Sequence, residues 1–115
     1  MTERRLEDSL VDILEAITEI EMFMEGVDLD RFLQNREKVL AVVKLLEIIG
    51  EATKKIPSSI REKYPEIPWR SVAGMRDVLV HEYWQVDELV VWETVTEALP
   101  LLKLTISKIV TSKNQ

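Results

Sequence analysis

Val39-Leu40-Ala41-Val42-Val43-Lys44-Leu45-Leu46-Glu47-Ile48-Ile49-Gly50 is the stretch on which the fold turns. It lies in a segment, Arg31 to Lys55, that holds no proline and one glycine. Val39, Leu40, Val42, Val43, Leu45, Leu46, Ile48 and Ile49 fall on nearly every side of a helix. A helix that is apolar almost all round has to be covered almost all round. The segment is therefore predicted to be a central helix, and the flanking sequence must supply the helices that wrap it.

The flanks read that way. Leu6, Leu10, Ile13, Ile17, Ile20 and Met24 recur at steps of four and three, one apolar stripe on an amphipathic helix. Gly26 ends that helix, and Asp28 or Asp30 can cap the next. Beyond the central segment, Pro57-Ser58-Ser59-Ile60-Arg61-Glu62 starts a short helix, with Ser59 and Glu62 at capping-box spacing. Tyr64-Pro65-Glu66-Ile67-Pro68 is a turn, after which Pro68 suits the first turn of a helix that carries Trp69, Val72, Met75 and Arg76. Asp87 caps a last helix from about Glu88 to about Thr111, with Pro100 inside it as a kink. The expected fold is all-α, an up-and-down bundle of four principal helices plus a short one, formed by residues 1–115 as a single domain.

Composition bounds the function. The 115 residues are 46% hydrophobic and 31% charged, enough apolar material for one core. The absence of cysteine rules out disulfides and thiolate metal sites and is compatible with a reducing cytoplasm. The first residues lack the apolar centre of a signal peptide, and no run is long enough to span a bilayer. A soluble, cytoplasmic protein with no membrane role is expected. The net charge of −6 argues against general affinity for nucleic acid but leaves room for a local cationic site.

Met75-Arg76-Asp77-Val78-Leu79-Val80-His81-Glu82-Tyr83 contains the one histidine of the chain. Arginine is a permanent cation suited to phosphate, histidine exchanges protons near neutral pH, and a tyrosine hydroxyl can donate, accept or be modified. Together these residue types suggest phosphodiester chemistry without a metal, although a lone histidine at a helix end is commonly a cap or a packed side chain. Geometry adds a constraint: on a straight helix Arg76 and His81 would stand roughly 140° apart, and Arg76 and Tyr83 about 20°. Either the helix unwinds near His81 or a second copy of the chain completes the site.

Two more features bear on it. Gly50 inside a helix costs about 1 kcal/mol relative to alanine, which points to close approach by another helix or by a ligand. Glu47 and Glu51, one turn apart, share a face and could position the arginine or the histidine, as a solvated acidic edge would also explain. No histidine accompanies them at ligand spacing, so neither a metal nor another cofactor is expected. Trp69, Trp84 and Trp92 read as core or interface anchors. No phosphate-binding loop, zinc-protease pair, nucleophile elbow or dinucleotide fingerprint is present.

Taken in order, Glu47-Ile48-Ile49-Gly50-Glu51-Ala52, Ile67-Pro68-Trp69-Arg70, Met75-Arg76-Asp77 and Val80-His81-Glu82-Tyr83 resemble the HepT-like proteins of the HEPN superfamily, small all-helical domains. The resemblance covers nearly the whole chain, including Asp87 to Pro100 with Val91-Trp92. It implies a toxin of a two-gene toxin–antitoxin system that acts as a metal-independent endoribonuclease on RNA. It further implies Arg76 and His81 as the catalytic pair, Asp77 as the polar residue after the arginine, and a homodimer whose two motifs face one cleft. The implied partner is a minimal nucleotidyltransferase antitoxin that transfers adenylate to Tyr83. Two other readings stay open on the residues themselves: a nucleotide-binding regulatory partner of such an enzyme, and a helical dimer in which the motif only stabilises the interface.

Overall fold

The computed structural model describes residues 6–82 and 85–113. Tyr83, Trp84 and the residues before Leu6 lie outside that set. Helix α1 (Leu6–Met24) buries Leu10, Ile13, Ile17 and Ile20, the middle of the predicted stripe, and adds Ser9 and Ala16. Gly26, at φ 72°, turns the chain out of it, a conformation that costs glycine little. Asp28 then accepts the Arg31 backbone N–H at 2.9 Å and caps α2 (Leu29–Gln34).

The central helix is shorter than expected. Its N-terminus is not at Arg31: Asn35 interrupts the run, and its side chain accepts the Lys38 N–H at 3.0 Å to cap α3 (Arg36–Thr53). Asparagine competes well for this role because its amide oxygen replaces a missing backbone acceptor. The break lets α2 turn Phe32 inward, where it is fully buried and its ring meets Trp92 at 5.6 Å between centroids. From Asn35 on, α3 behaves as anticipated. It packs against α1, α2, the pair α5 and α6, and α7, and buries Val39, Val42, Val43, Leu45, Leu46 and Ile49. Each such side chain contributes about 1.5–3 kcal/mol when taken fully out of water. One strip stays open, with Leu40, Lys44 and Ile48 exposed at successive turns.

The next connection corrects one expectation. Short α4 (Ser58–Arg61) begins at Pro57 with no side-chain cap, and Glu62 stands at its C-terminal end, so the Ser59–Glu62 capping box does not form. A one-turn helix places both residues inside or past the turn that the box would have to precede. Its role lies elsewhere. Arg61 donates from its guanidinium to the Thr53 carbonyl (2.7 Å) and the Ile56 carbonyl (2.9 Å), covering carbonyls at and just beyond the end of α3. Trp69, buried, donates its indole N–H to the carbonyls of Arg61 and Tyr64. The turn is thereby pinned to α5 (Trp69–Ala73), which Gly74 separates from α6 (Met75–Leu79).

After Leu79 the chain becomes extended (Val80 φ −124°, ψ 115°). Strand β1 (Val80–Glu82) pairs antiparallel with β2 (Gln85–Val86), a two-stranded element that the helical pattern did not announce. Asp87 accepts the Val90 N–H and caps the last helical run, as predicted. That run is α7 (Glu88–Glu93), a π-helical turn over Thr94–Ala98, and α8 (Leu99–Lys113). The irregularity expected from Pro100 thus sits just before it, as a widened turn. Leu99, Leu102, Ile106 and Ile109 of α8 close the core against α1. Apart from the small sheet, the architecture is all-α. No described helix is long and apolar enough to cross a membrane.

Candidate active site

Gly50 sets how near the motif comes to the central helix. A Cβ there would lie 2.9 Å from the Val72 carbonyl oxygen, 3.1 Å from Met75 Cβ and 3.3 Å from the Ala73 carbonyl oxygen. Close approach by another helix is therefore the reason for this glycine. With α5 and α6 seated that tightly, α6 buries Met75 and Leu79 and turns Arg76, Asp77 and Val78 to solvent. The Arg76 side chain is 68% exposed, and its Nε lies 3.8 Å from Glu47 Oε1 on α3. Glu47 thus faces the arginine, as anticipated. Glu51 does not: it pairs with Lys54, the residue just past the end of its own helix, at 3.1 Å.

Arg76, Asp77, Glu47 and Glu51 all line an open cleft of about 670 Å³ between α1, α3 and the junction of α5 with α6. Lys44, Lys54, Lys55 and Arg76 contribute four cations to its lining, against four carboxylates from Asp12, Glu47, Glu51 and Asp77. One chain alone offers no net positive groove there. Among the described residues, no group of three or more acidic or histidine side chains is placed to hold a metal ion.

His81 does not line that cleft. The helix ends two residues before it, which is the first of the two solutions that the angular mismatch allowed. The strand register shifts between Val80, opposite Val86, and Glu82, opposite Gln85, so His81 sits at the irregular position. Such irregularities re-aim a side chain. Its ring is 59% exposed, and Nε2 lies 3.4 Å from Asp87 Oδ2. Within one chain, no hydrogen bond or ion pair joins Arg76 to His81 among the described residues. The expected modification site, Tyr83, lies outside those residues.

Sequence reasoning saw Asp87 only as a cap and missed its second contact. The available signal was a carboxylate six residues past the histidine, legible only if the chain doubles back between them. Of the tryptophans, Trp69 is the buried anchor expected, Trp92 packs on Phe32 at the edge of the core, and Trp84 lies outside the described residues.

The family model described as Ribonuclease HepT-like matches residues 13–109. The provisionally named RNase MJ1216 of Methanocaldococcus jannaschii is 46% identical over 110 residues, covering 96% of this chain and 91% of that protein. A protein of Thermococcus cleftensis named probable ribonuclease HepT is 48% identical over 100 residues, covering 87% of this chain and 91% of its own length. No solved structure matches the chain. Matched over most of its length by this family model and by these relatives, the chain belongs to the HepT-like family of ribonucleases.

Proposed function

We propose that this chain is the toxin of a toxin–antitoxin pair, an endoribonuclease that cleaves RNA by metal-independent transesterification at Arg76 and His81. The observation that carries the reading is the exposure of both side chains, Arg76 on the tightly seated α6 and His81 on the strand just past it, where core packing gives no reason for either. In the reaction, an imidazole takes the proton of a ribose 2′-hydroxyl as the 2′-oxygen bonds to phosphorus. The bond from phosphorus to the 5′-oxygen breaks, and a protonated imidazole supplies that oxygen's proton. Arg76 balances charge on the phosphorane oxygens. The products are a 2′,3′-cyclic phosphate and a 5′-hydroxyl, so DNA is inert.

One histidine cannot be base and acid at the same instant, whereas a homodimer brings two. The open strip of α3, with Leu40 and Ile48 exposed, and the neutral lining of the single-chain cleft favour a cleft completed by a second copy. Asp77, beside Arg76 on the same exposed turn, and Glu47 support the arginine. Control falls to a cytoplasmic minimal nucleotidyltransferase, which moves adenylate from ATP to the Tyr83 hydroxyl with release of pyrophosphate. The added phosphate would sit close in sequence to Arg76 and compete with RNA for it.

The test has two stages: the untagged protein is first incubated with or without its cognate nucleotidyltransferase and magnesium–ATP, and is then repurified and assayed on single-stranded RNA in excess chelator. Cleavage should proceed with chelator present and stop once the Tyr83 peptide carries adenylate mass. Tyr83→Phe should cleave and resist silencing. A strict metal requirement, or a 13.4 kDa monomer that cleaves at full rate in sedimentation, would overturn the chemistry or the shared cleft. Binding of nucleotide without any cleavage would favour a regulatory module instead.

A further inference from the structure

Asp87 caps α7 with only one of its two carboxylate oxygens. Oδ1 accepts the Val90 N–H at 3.2 Å, while the Asp87 backbone N–H donates to the Leu79 carbonyl at 2.8 Å. The first bond restricts rotation of the carboxylate, and the second ties its backbone to the residue where α6 stops. Oδ2 is left over, and it is this atom that stands 3.4 Å from His81 Nε2. A carboxylate has only lone pairs to present, so a ring nitrogen facing it has to bring a proton. In a neutral imidazole one nitrogen is protonated and the other is not, and the partner of the first decides which is which.

We infer that Asp87 is a positioning residue for His81: it selects the tautomer protonated at Nε2, so that Nδ1 is the nitrogen that exchanges protons with RNA. The inference rests on the ribonuclease reading for its effect on cleavage, but the tautomer belongs to the free protein and can be measured without RNA. When Nδ1 accepts the 2′-hydroxyl proton, the ring becomes an imidazolium whose Nε2–H remains on Asp87. The same contact then holds the charged ring in place until Nδ1 gives its proton up. The ring and the carboxylate are 59% and 33% exposed, so the contact orients more than it stabilises. At 3.4 Å it is long for a hydrogen bond, and catalytic contacts of this kind commonly tighten when substrate arrives.

The chain's single histidine makes the experiment clean. In untagged, nitrogen-15-labelled protein every imidazole signal belongs to His81, and the ring nitrogen shifts at alkaline pH report the tautomer. Asp87→Asn keeps an oxygen to cap Val90 but puts an NH2 group opposite Nε2, which must then accept; the ring should invert to the Nδ1–H form. Asp87→Ser keeps a capping hydroxyl but is too short to reach the ring, and its tautomers should relax to those of free histidine. Cleavage should fall by about 10²-fold in Asp87→Asn, within the range that positioned proton transfer provides. Identical ring shifts in wild type and both variants would reduce Asp87 to a cap and overturn the inference, whatever cleavage does. A wild-type ring held at Nε2–H that inverts in Asp87→Asn, in a protein that cleaves no RNA, would uphold the orientation and sink the ribonuclease reading instead.

Discussion

The contact around Gly50 and the segment from Arg76 to Asp87 are neighbours in space but opposites in construction. At Gly50, two helical surfaces meet so closely that a methyl group has no room. Around His81 the structure is one short antiparallel pairing, one backbone bond from Asp87 to Leu79 and side chains turned to water. The first region is held by packing that tolerates no change of volume. The second, past the buried Leu79, is held by a few directional bonds and leaves Arg76 and His81 largely exposed, each facing one carboxylate. Stability and chemistry are thus drawn from different residues, and substitutions should separate them.

The largest expected effect is on activity alone. His81→Ala and Arg76→Ala should each lower RNA cleavage by about 10²–10⁴-fold, while circular dichroism and the melting temperature stay near those of wild type. Unfolding of either variant would erase the contrast between the two regions. Gly50→Val should do the reverse, lowering stability by about 1–3 kcal/mol through overpacking against Val72 and Met75, read by urea denaturation. Normal stability there would mean that α5 and α6 can back away from α3.

Trp69→Phe tests the anchor between the regions. It removes the donor shared by the Arg61 and Tyr64 carbonyls and leaves space behind, at a cost of about 1–2 kcal/mol. Hydrogen exchange should rise first in residues 58–79 if that turn seats the motif. Glu47→Gln should have the smallest effect, because Arg76 is mostly exposed and a solvent-screened pair is worth about 0–1 kcal/mol. A loss of cleavage as large as that of Arg76→Ala would instead make Glu47 part of the machinery.

Much of this is legible in the sequence alone. The stripe of α1, the turn at Gly26 and the caps at Asp28 and Asp87 each derive from local chemistry, which sequence carries directly, whereas the glycine at position 50 announces a close approach without naming the residues that make it. The break at Asn35 falls in a polar run, Gln34-Asn35-Arg36-Glu37-Lys38, that holds a good capping residue but neither proline nor glycine, and the burial of Phe32 against Trp92 shows why the chain bends there. The end of α6 is hidden. Val78-Leu79-Val80 would suit helix or strand, and the pairing of Val80 with Val86 decides between them. The meeting of His81 with Asp87 depends on that same reversal, so helical periodicity could not have shown it. Arg61 as a cover for the end of α3 is another long-range contact of this kind.

The widened turn at Thr94–Ala98 has a consequence for how this chain can change in length. A π turn is an α-helix that has absorbed one extra residue and still continues as a helix beyond it. Here the Leu99 N–H reaches back five residues to the Thr94 carbonyl, and the hydroxyls of Thr94 and Thr96 donate to the carbonyls of Val90 and Trp92. Pro100, which has no N–H to give and would crowd a regular helix, comes directly after this slack. Deleting one residue within the turn should therefore keep Leu102, Ile106 and Ile109 facing the core while tightening the helix onto its proline. The last helix is a place where a single codon can be gained or lost without redrawing the rest of the molecule.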